Sequence, residues 1–114
     1  MAKGVCRIET GQKKSSYVLV ADYKDIKVMD VSDTSNPVIA GNYDSLKNAV
    51  SITASGSTAF VADYNLGIAQ LDITEITNPV LVKTFDTGKT NDVCVYEGYV
   101  YAVGEKGVLA FKIE

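Results

Sequence analysis

Two aspartates stand at equivalent points of the sequence, and their spacing raises the first question of chemistry. Asp22 ends the stretch YVLVAD, and Asp63 ends the related stretch TAFVAD 41 residues later. Two carboxylates that face each other can act as acid and base in glycoside hydrolysis, and acidic loops can collect cations. Aspartate also accepts backbone N–H groups in tight turns. Because a turn role explains the repetition without any ligand, the pattern favours structural aspartates over an enzyme or a metal site.

Further polar and aromatic residues fall in the same class of loops. Tyr23 and Tyr64 follow the two aspartates, and tyrosine offers a large contact area with one hydrated end; packing over a neighbouring strand is the competing role. The segment TGKTND, residues 87–92, lacks the glycine spacing of a phosphate loop and predicts a turn. The candidate binding residues are therefore Asp22, Tyr23, Lys47, Asp63, Tyr64, Lys89, Asn91 and Asp92.

Composition argues against several classes of function. The sequence contains no histidine, which is the commonest general base and metal ligand, and its loops lack the alternating aspartates of a calcium site. We therefore predict a protein that is not an enzyme and that holds no metal and no cofactor. A formal charge of −3 argues against nucleic acid as a partner, because phosphate binding needs a basic surface.

Length and cysteine content favour one domain in a reducing compartment. A chain of 114 residues is long enough for a single modest core. Cys6 and Cys94 match no zinc or redox spacing, so two buried free thiols are predicted. The sequence shows no signal peptide and no apolar run that could cross a bilayer, so we expect a cytoplasmic protein without membrane insertion. As a piece of a longer chain it would instead lie at the cell surface or be secreted.

A repeat sets the positions of these residues. The stretch YVLVADYKDIKVMDVSDTSNPVIAGNYDS, residues 17–45, returns as TAFVADYNLGIAQLDITEITNPVLVKTFDT, residues 58–87, at an offset of 41 or 42 residues. A weaker third copy begins at YVYAVGEKGVLAFKIE, residues 99–114. Periods of this size belong to paired-helix solenoids or to four-stranded propeller blades. Short valine-rich runs between Gly, Asn, Asp and Pro favour strands.

Each copy divides into strands A to D of one antiparallel blade. The strands are predicted at 5–9, 49–53 and 92–96 (A), 17–21, 59–62 and 99–103 (B), 26–32, 68–74 and 108–113 (C), and 38–43 and 80–85 (D). The side chains of DVSDTSNPV and DITEITNPV would make the C-to-D turns. We predict an all-β, single partial β-propeller domain over residues 1–114, with blades at about 4–45, 48–87 and 91–114 that have four, four and three strands.

The words VADY, DVSDTSNPV and YD, with their second copies, resemble the LVIVD-repeat β-propeller family. The resemblance runs from about residue 5 to residue 114, and two copies carry the whole motif. It implies propeller blades of the kind found in prokaryotic, often cell-surface, proteins with no assigned catalysis.

An arc of three blades leaves two blade faces uncovered. Propellers close as rings of about four to eight blades. If each open face exposes roughly 500 Å² of apolar surface, the fold lacks on the order of 10 kcal/mol of hydrophobic stabilisation per face, at about 25 cal/mol per Å². We therefore expect a homodimer that closes a six-bladed ring. The alternative is a fragment of a longer propeller.

These features favour a non-catalytic binding or scaffold module whose loop rim engages a protein or glycan partner. A purely structural, self-assembling propeller fragment is the alternative interpretation. A glycoside-active enzyme that uses Asp22 and Asp63 is a second and disfavoured alternative, because their repeated placement suits turns.

Overall fold

The computed structural model describes residues 4–9 and 16–113, with side chains from Tyr17 onward, and these residues form strands and turns without a helix. The part described therefore contains no helix that could span a membrane. Its eleven strands are β1 Gly4–Glu9, β2 Ser16–Asp22, β3 Asp25–Asp30, β4 Val38–Tyr43, β5 Ala49–Ser55, β6 Thr58–Asp63, β7 Gly67–Asp72, β8 Val80–Phe85, β9 Thr90–Tyr96, β10 Tyr99–Gly104 and β11 Gly107–Lys112.

The strands form three antiparallel sheets that follow the sequence repeat. Blade 1 contains β1 to β4 and blade 2 contains β5 to β8, each in chain order, while blade 3 contains β9, β10 and β11. The prediction of an all-β chain with four-, four- and three-stranded antiparallel sheets is confirmed. Both predicted D strands match β4 and β8 in their bounds.

Each blade packs its face on the next blade. Buried residues of blades 1 and 2 share one hydrophobic cluster that includes Leu19, Ile26, Val61 and Leu71. A second cluster joins blades 2 and 3 around Phe60. The inner strand β5 lies between the inner strands β1 and β9. This is the stacking order of propeller blades around an axis.

Aspartates end the third strand of blades 1 and 2 two residues earlier than predicted. Asp30 Oδ1 accepts the Ser32 N–H at 2.9 Å, and Asp72 Oδ1 accepts the Thr74 N–H at 2.8 Å and its hydroxyl at 2.6 Å. These bonds turn the chain away from the sheet, which confirms the predicted turn role of these motifs. The Ser32 backbone bond lowers the pKa of Asp30, and the Thr74 bonds lower the pKa of Asp72.

Blade 3 is less covered than the sequence suggests. Cys94 is exposed, so the prediction of a buried thiol is wrong for this residue, while the side chain of Cys6 lies outside the described residues. The physical reason is its position. Cys94 pairs across the sheet with Tyr101, on the face of blade 3 that turns away from blade 2, and in the described residues no further blade covers that face.

Candidate functional site

Asp63 is fully buried and holds two separate segments of backbone. One carboxylate oxygen accepts the N–H groups of Asn65 and Leu66 at 2.9 and 3.0 Å, inside the turn from β6 to β7. The other accepts the N–H groups of Lys47 and Asn48 at 2.9 and 3.0 Å, in the linker between blades 1 and 2. The predicted turn role is confirmed, and the second pair of bonds adds an anchor for the neighbouring blade. Asp63 is 0% exposed, so it holds these two loops from inside the fold and presents no surface to the solvent.

Asp22 occupies the same repeat position in blade 1 and lies nearer the solvent. Its carboxylate accepts a hydrogen bond from Lys27 Nζ at 2.9 Å, and the same ammonium lies 3.1 Å from the carboxylate of Asp25. The hydrogen bond with Lys27 lowers the pKa of Asp22, and the bonds to Asp22 and Asp25 raise the pKa of Lys27. Two equivalent aspartates therefore sit in different environments.

Blade 3 holds its preceding linker through a different pair of residues. Gly104 stands where the other blades carry aspartate, and Glu105 follows it. Glu105 Oε2 accepts the Lys89 N–H at 3.0 Å, and the Glu105 N–H donates to the Lys89 carbonyl at 2.9 Å. A Cβ atom at position 104 would overlap the backbone of Lys89. Glycine at this point lets the turn approach the linker closely.

An open cavity lies at the rim, at the junction between blades 2 and 3. Its volume is about 470 Å³. Lys89 Nζ lies 5.7 Å from the centre of the Tyr64 ring, a cation–π distance. The cavity wall therefore combines an aromatic ring, an ammonium group, an amide and a carboxylate. Its lining residues are Tyr64, Lys89, Asn91, Val103, Gly104 and Glu105.

The linker that carries Lys89 is held rigidly beside this cavity. Thr87 and Thr90 are buried, and their hydroxyl oxygens lie 2.6 Å apart. The Thr90 hydroxyl also donates to the Gly88 carbonyl at 3.0 Å. The predicted turn in TGKTND is confirmed for residues 87–89 only, because β9 begins at Thr90 and the second half of the segment is strand. These bonds fix the backbone on both sides of Lys89.

The sequence candidates divide into those that line this cavity and those that do not. Tyr64, Lys89 and Asn91 come together, as three of the predicted binding residues. Tyr23 is 48% exposed at the junction of blades 1 and 2, where its carbonyl accepts the Ala49 N–H at 2.7 Å, and Lys47 is exposed in the linker there. Asp92 is exposed and accepts the Ser51 hydroxyl at 2.6 Å.

Three lining residues, Val103, Gly104 and Glu105, were not among the predicted binding residues. The offset between repeats places Gly104 opposite Asp63, and this loss of the carboxylate is the signal that could have drawn attention to Glu105. Over the part of the chain described, no group of three or more Cys, Asp and Glu side chains is arranged to hold a metal ion. The chemistry of the cavity is therefore considered from its lining side chains alone.

Comparison with known proteins places this architecture in a family. The chain is similar to a solved structure described as the crystal structure of the computationally designed Ika4 protein, with 9% identity, a TM-score of 0.49, and coverage of 100% of this chain and 92% of that chain. A comparison with curated proteins gave no match. The family description "LVIVD repeat" matches residues 14–45, 47–87 and 88–110. Because these three segments cover most of the sequence, the chain belongs to the LVIVD repeat family.

Proposed function

We propose that this chain is a non-catalytic, propeller-type binding and scaffold module whose rim presents the cavity between blades 2 and 3 to a protein or glycan partner. The observation that carries the proposal is the meeting of Tyr64, Lys89 and Asn91 in one cavity. Loops on a rigid scaffold are the usual place for recognition residues. Here the loops are fixed by backbone hydrogen bonds between neighbouring blades.

The chemistry of the cavity suits a ligand with both polar groups and apolar surface. The exposed Tyr64 ring offers an aromatic surface, while the exposed Asn91 and Glu105 side chains offer amide and carboxylate groups. Sugars and extended peptides both combine hydroxyl or amide groups with flat apolar patches. A glycan and a peptide are therefore the two ligand classes to test.

The positions of the aspartates support a binding role over catalysis. All four hydrogen bonds of Asp63 go to backbone N–H groups, and its side chain is 0% exposed, so it cannot approach a sugar. Asp22 is paired with Lys27. The sequence also contains no histidine as a general base. A purely structural role is favoured by a different feature, the open blade faces.

The test is a screen on a glycan array and on a peptide library, followed by variants of the cavity. We expect Tyr64→Ser and Asn91→Ala each to weaken binding of any ligand found by about tenfold or more, as for loss of a central contact. Tyr23→Ser is the matched control, because Tyr23 has the same repeat position but does not line the cavity. Blank screens, or ligands whose binding ignores Tyr64 and Asn91, would contradict the proposal.

A further inference from the structure

Among the described residues, no other blade covers one face of blade 3; its centre is apolar, while Lys112 and Asp92 pair with Tyr99 and Val103 at its edges. Its residues Tyr101, Val103, Val108 and Ala110 pair across β10 and β11, and we call them the blade 3 open face. Val108 is 70% exposed and Val103 is 46% exposed. The repeat aligns these four with Leu19, Ala21, Ile26 and Val28 of blade 1, which are all 0% exposed. The same repeat position is thus core in blade 1 and surface in blade 3.

The chain itself shows what covers such a face. Leu19, Ala21, Ile26 and Val28 of blade 1 pack in one cluster with Val61, Ala69 and Leu71, from the facing side of blade 2. Phe60, Ala62 and Ile68, on the other side of blade 2, pack with Val100 and Ala102 of blade 3. In blades 1 and 2, the face equivalent to the blade 3 open face is therefore covered by the next blade in the chain. We call the covering side of that next blade its leading side.

Blade 1 carries one more leading side, and it has no covering blade among the described residues. Val18 pairs with Met29 and Val20 pairs with Lys27, as Ala59 pairs with Leu71 and Val61 with Ala69 in blade 2. We call Val18, Val20, Lys27 and Met29 the blade 1 open face; all four are half-buried. The ammonium of Lys27 is held by two carboxylates, so its aliphatic stem can cover apolar surface.

We infer that the two open faces pack against each other between two copies of this chain, head to tail. The chain already makes this contact twice internally, between blades 1 and 2 and between blades 2 and 3. Its two open faces are the two surfaces that a third such contact needs, so the occupant of each face is a second copy. Two arcs of three blades make six, within the range of about four to eight in which propellers close. Both contacts form together, so the second is effectively intramolecular.

The inference does not rest on the proposed ligand, although it affects the same region. Val103 belongs to the blade 3 open face and also lines the rim cavity. A second copy on this face would therefore border the cavity. Loss of self-association and loss of ligand binding remain separate measurements, because Tyr64 and Asn91 lie outside both open faces.

The experiment measures the dimer dissociation constant of the whole chain by analytical ultracentrifugation. We expect Val108→Glu and Val20→Glu each to raise it by at least about 100-fold, because each removes apolar area from the contact and brings an added carboxylate into it. Val82→Glu is the control, since Val82 is 54% exposed on β8 and belongs to neither face. Circular dichroism melting curves check that each variant is folded.

A mixture of the two defective variants gives the sharpest result. In a head-to-tail pair of Val108→Glu with Val20→Glu, one contact carries both glutamates and the other carries none. A 1:1 complex in the mixture, when each variant alone is monomeric, supports the inference. A monomeric wild-type chain, or a Val20→Glu variant that dimerises like the wild type, would overturn it. The second outcome would indicate packing of blade 3 on blade 3.

Discussion

Replacing Asp63 tests whether one buried carboxylate fastens two blades together. Its four hydrogen bonds join the turn after β6 to the linker that precedes β5. Each buried donor left without a partner costs about 1–3 kcal/mol. Lys47 and Asn65 are exposed, so water can reach part of this set. We therefore expect Asp63→Ala to lower the free energy of unfolding by about 3–5 kcal/mol, a large part of the roughly 5–15 kcal/mol typical of a domain.

The amide variant and the equivalent residue of blade 1 make the test specific. Asp63→Asn keeps one acceptor oxygen and should lose about half as much, roughly 2 kcal/mol. Asp22→Ala removes a partly exposed ion pair, with side chains 26% and 32% exposed, and should cost clearly less than Asp63→Ala because water screens such pairs. Urea unfolding at one fixed protein concentration, followed by circular dichroism, gives all three values. An Asp63→Ala variant no less stable than Asp22→Ala would refute the reasoning.

Two further predictions concern the turns. The pKa values of Asp30 and Asp72 are lowered from the usual 3.8, so the unfolded chain binds these protons more tightly. Their contribution to the free energy of unfolding is complete above the pKa of the unfolded chain and is lost as pH falls through the lower pKa of the folded chain. When the pH is lowered below about 4, the melting temperature of a double Asp30→Asn, Asp72→Asn variant should therefore fall less than that of the wild type. Gly104→Ala should cost about 1–3 kcal/mol, because its Cβ overlaps the backbone of Lys89. An unchanged melting temperature would contradict that close approach.

Local patterns were enough to predict the blades. Alternation of valine-rich runs with Asp, Asn and Pro located every strand to within a few residues, since strand limits depend on neighbouring turns. The third strands were predicted too long because Ile73 continues the apolar pattern after Asp72, although the Asp72 side chain has already captured the Thr74 N–H. Ile73 is still buried, outside the strand.

The site was less predictable because its contacts join residues far apart in the chain. Nothing near Asp63 indicates that it would bind the N–H groups of Lys47 and Asn48, since that contact forms only when blades 1 and 2 stack. Tyr64, Lys89 and Asn91 were predicted as binding residues, but their meeting depends on the close approach at Gly104. Cys94 was predicted as core because sequence alone does not show which blade face lacks a neighbour.

The most direct test of self-association uses Cys94 as a probe, because its thiol is exposed on the same side of blade 3 as the open face. Alkylation of Cys94 is followed by peptide mass spectrometry over a range of protein concentrations, with Val108→Glu as the reference. A Cys94 alkylation rate that falls as wild-type concentration rises, and stays constant in Val108→Glu, is the predicted result. A wild-type rate that is independent of concentration and equal to that of Val108→Glu would contradict closure of the ring by a second copy.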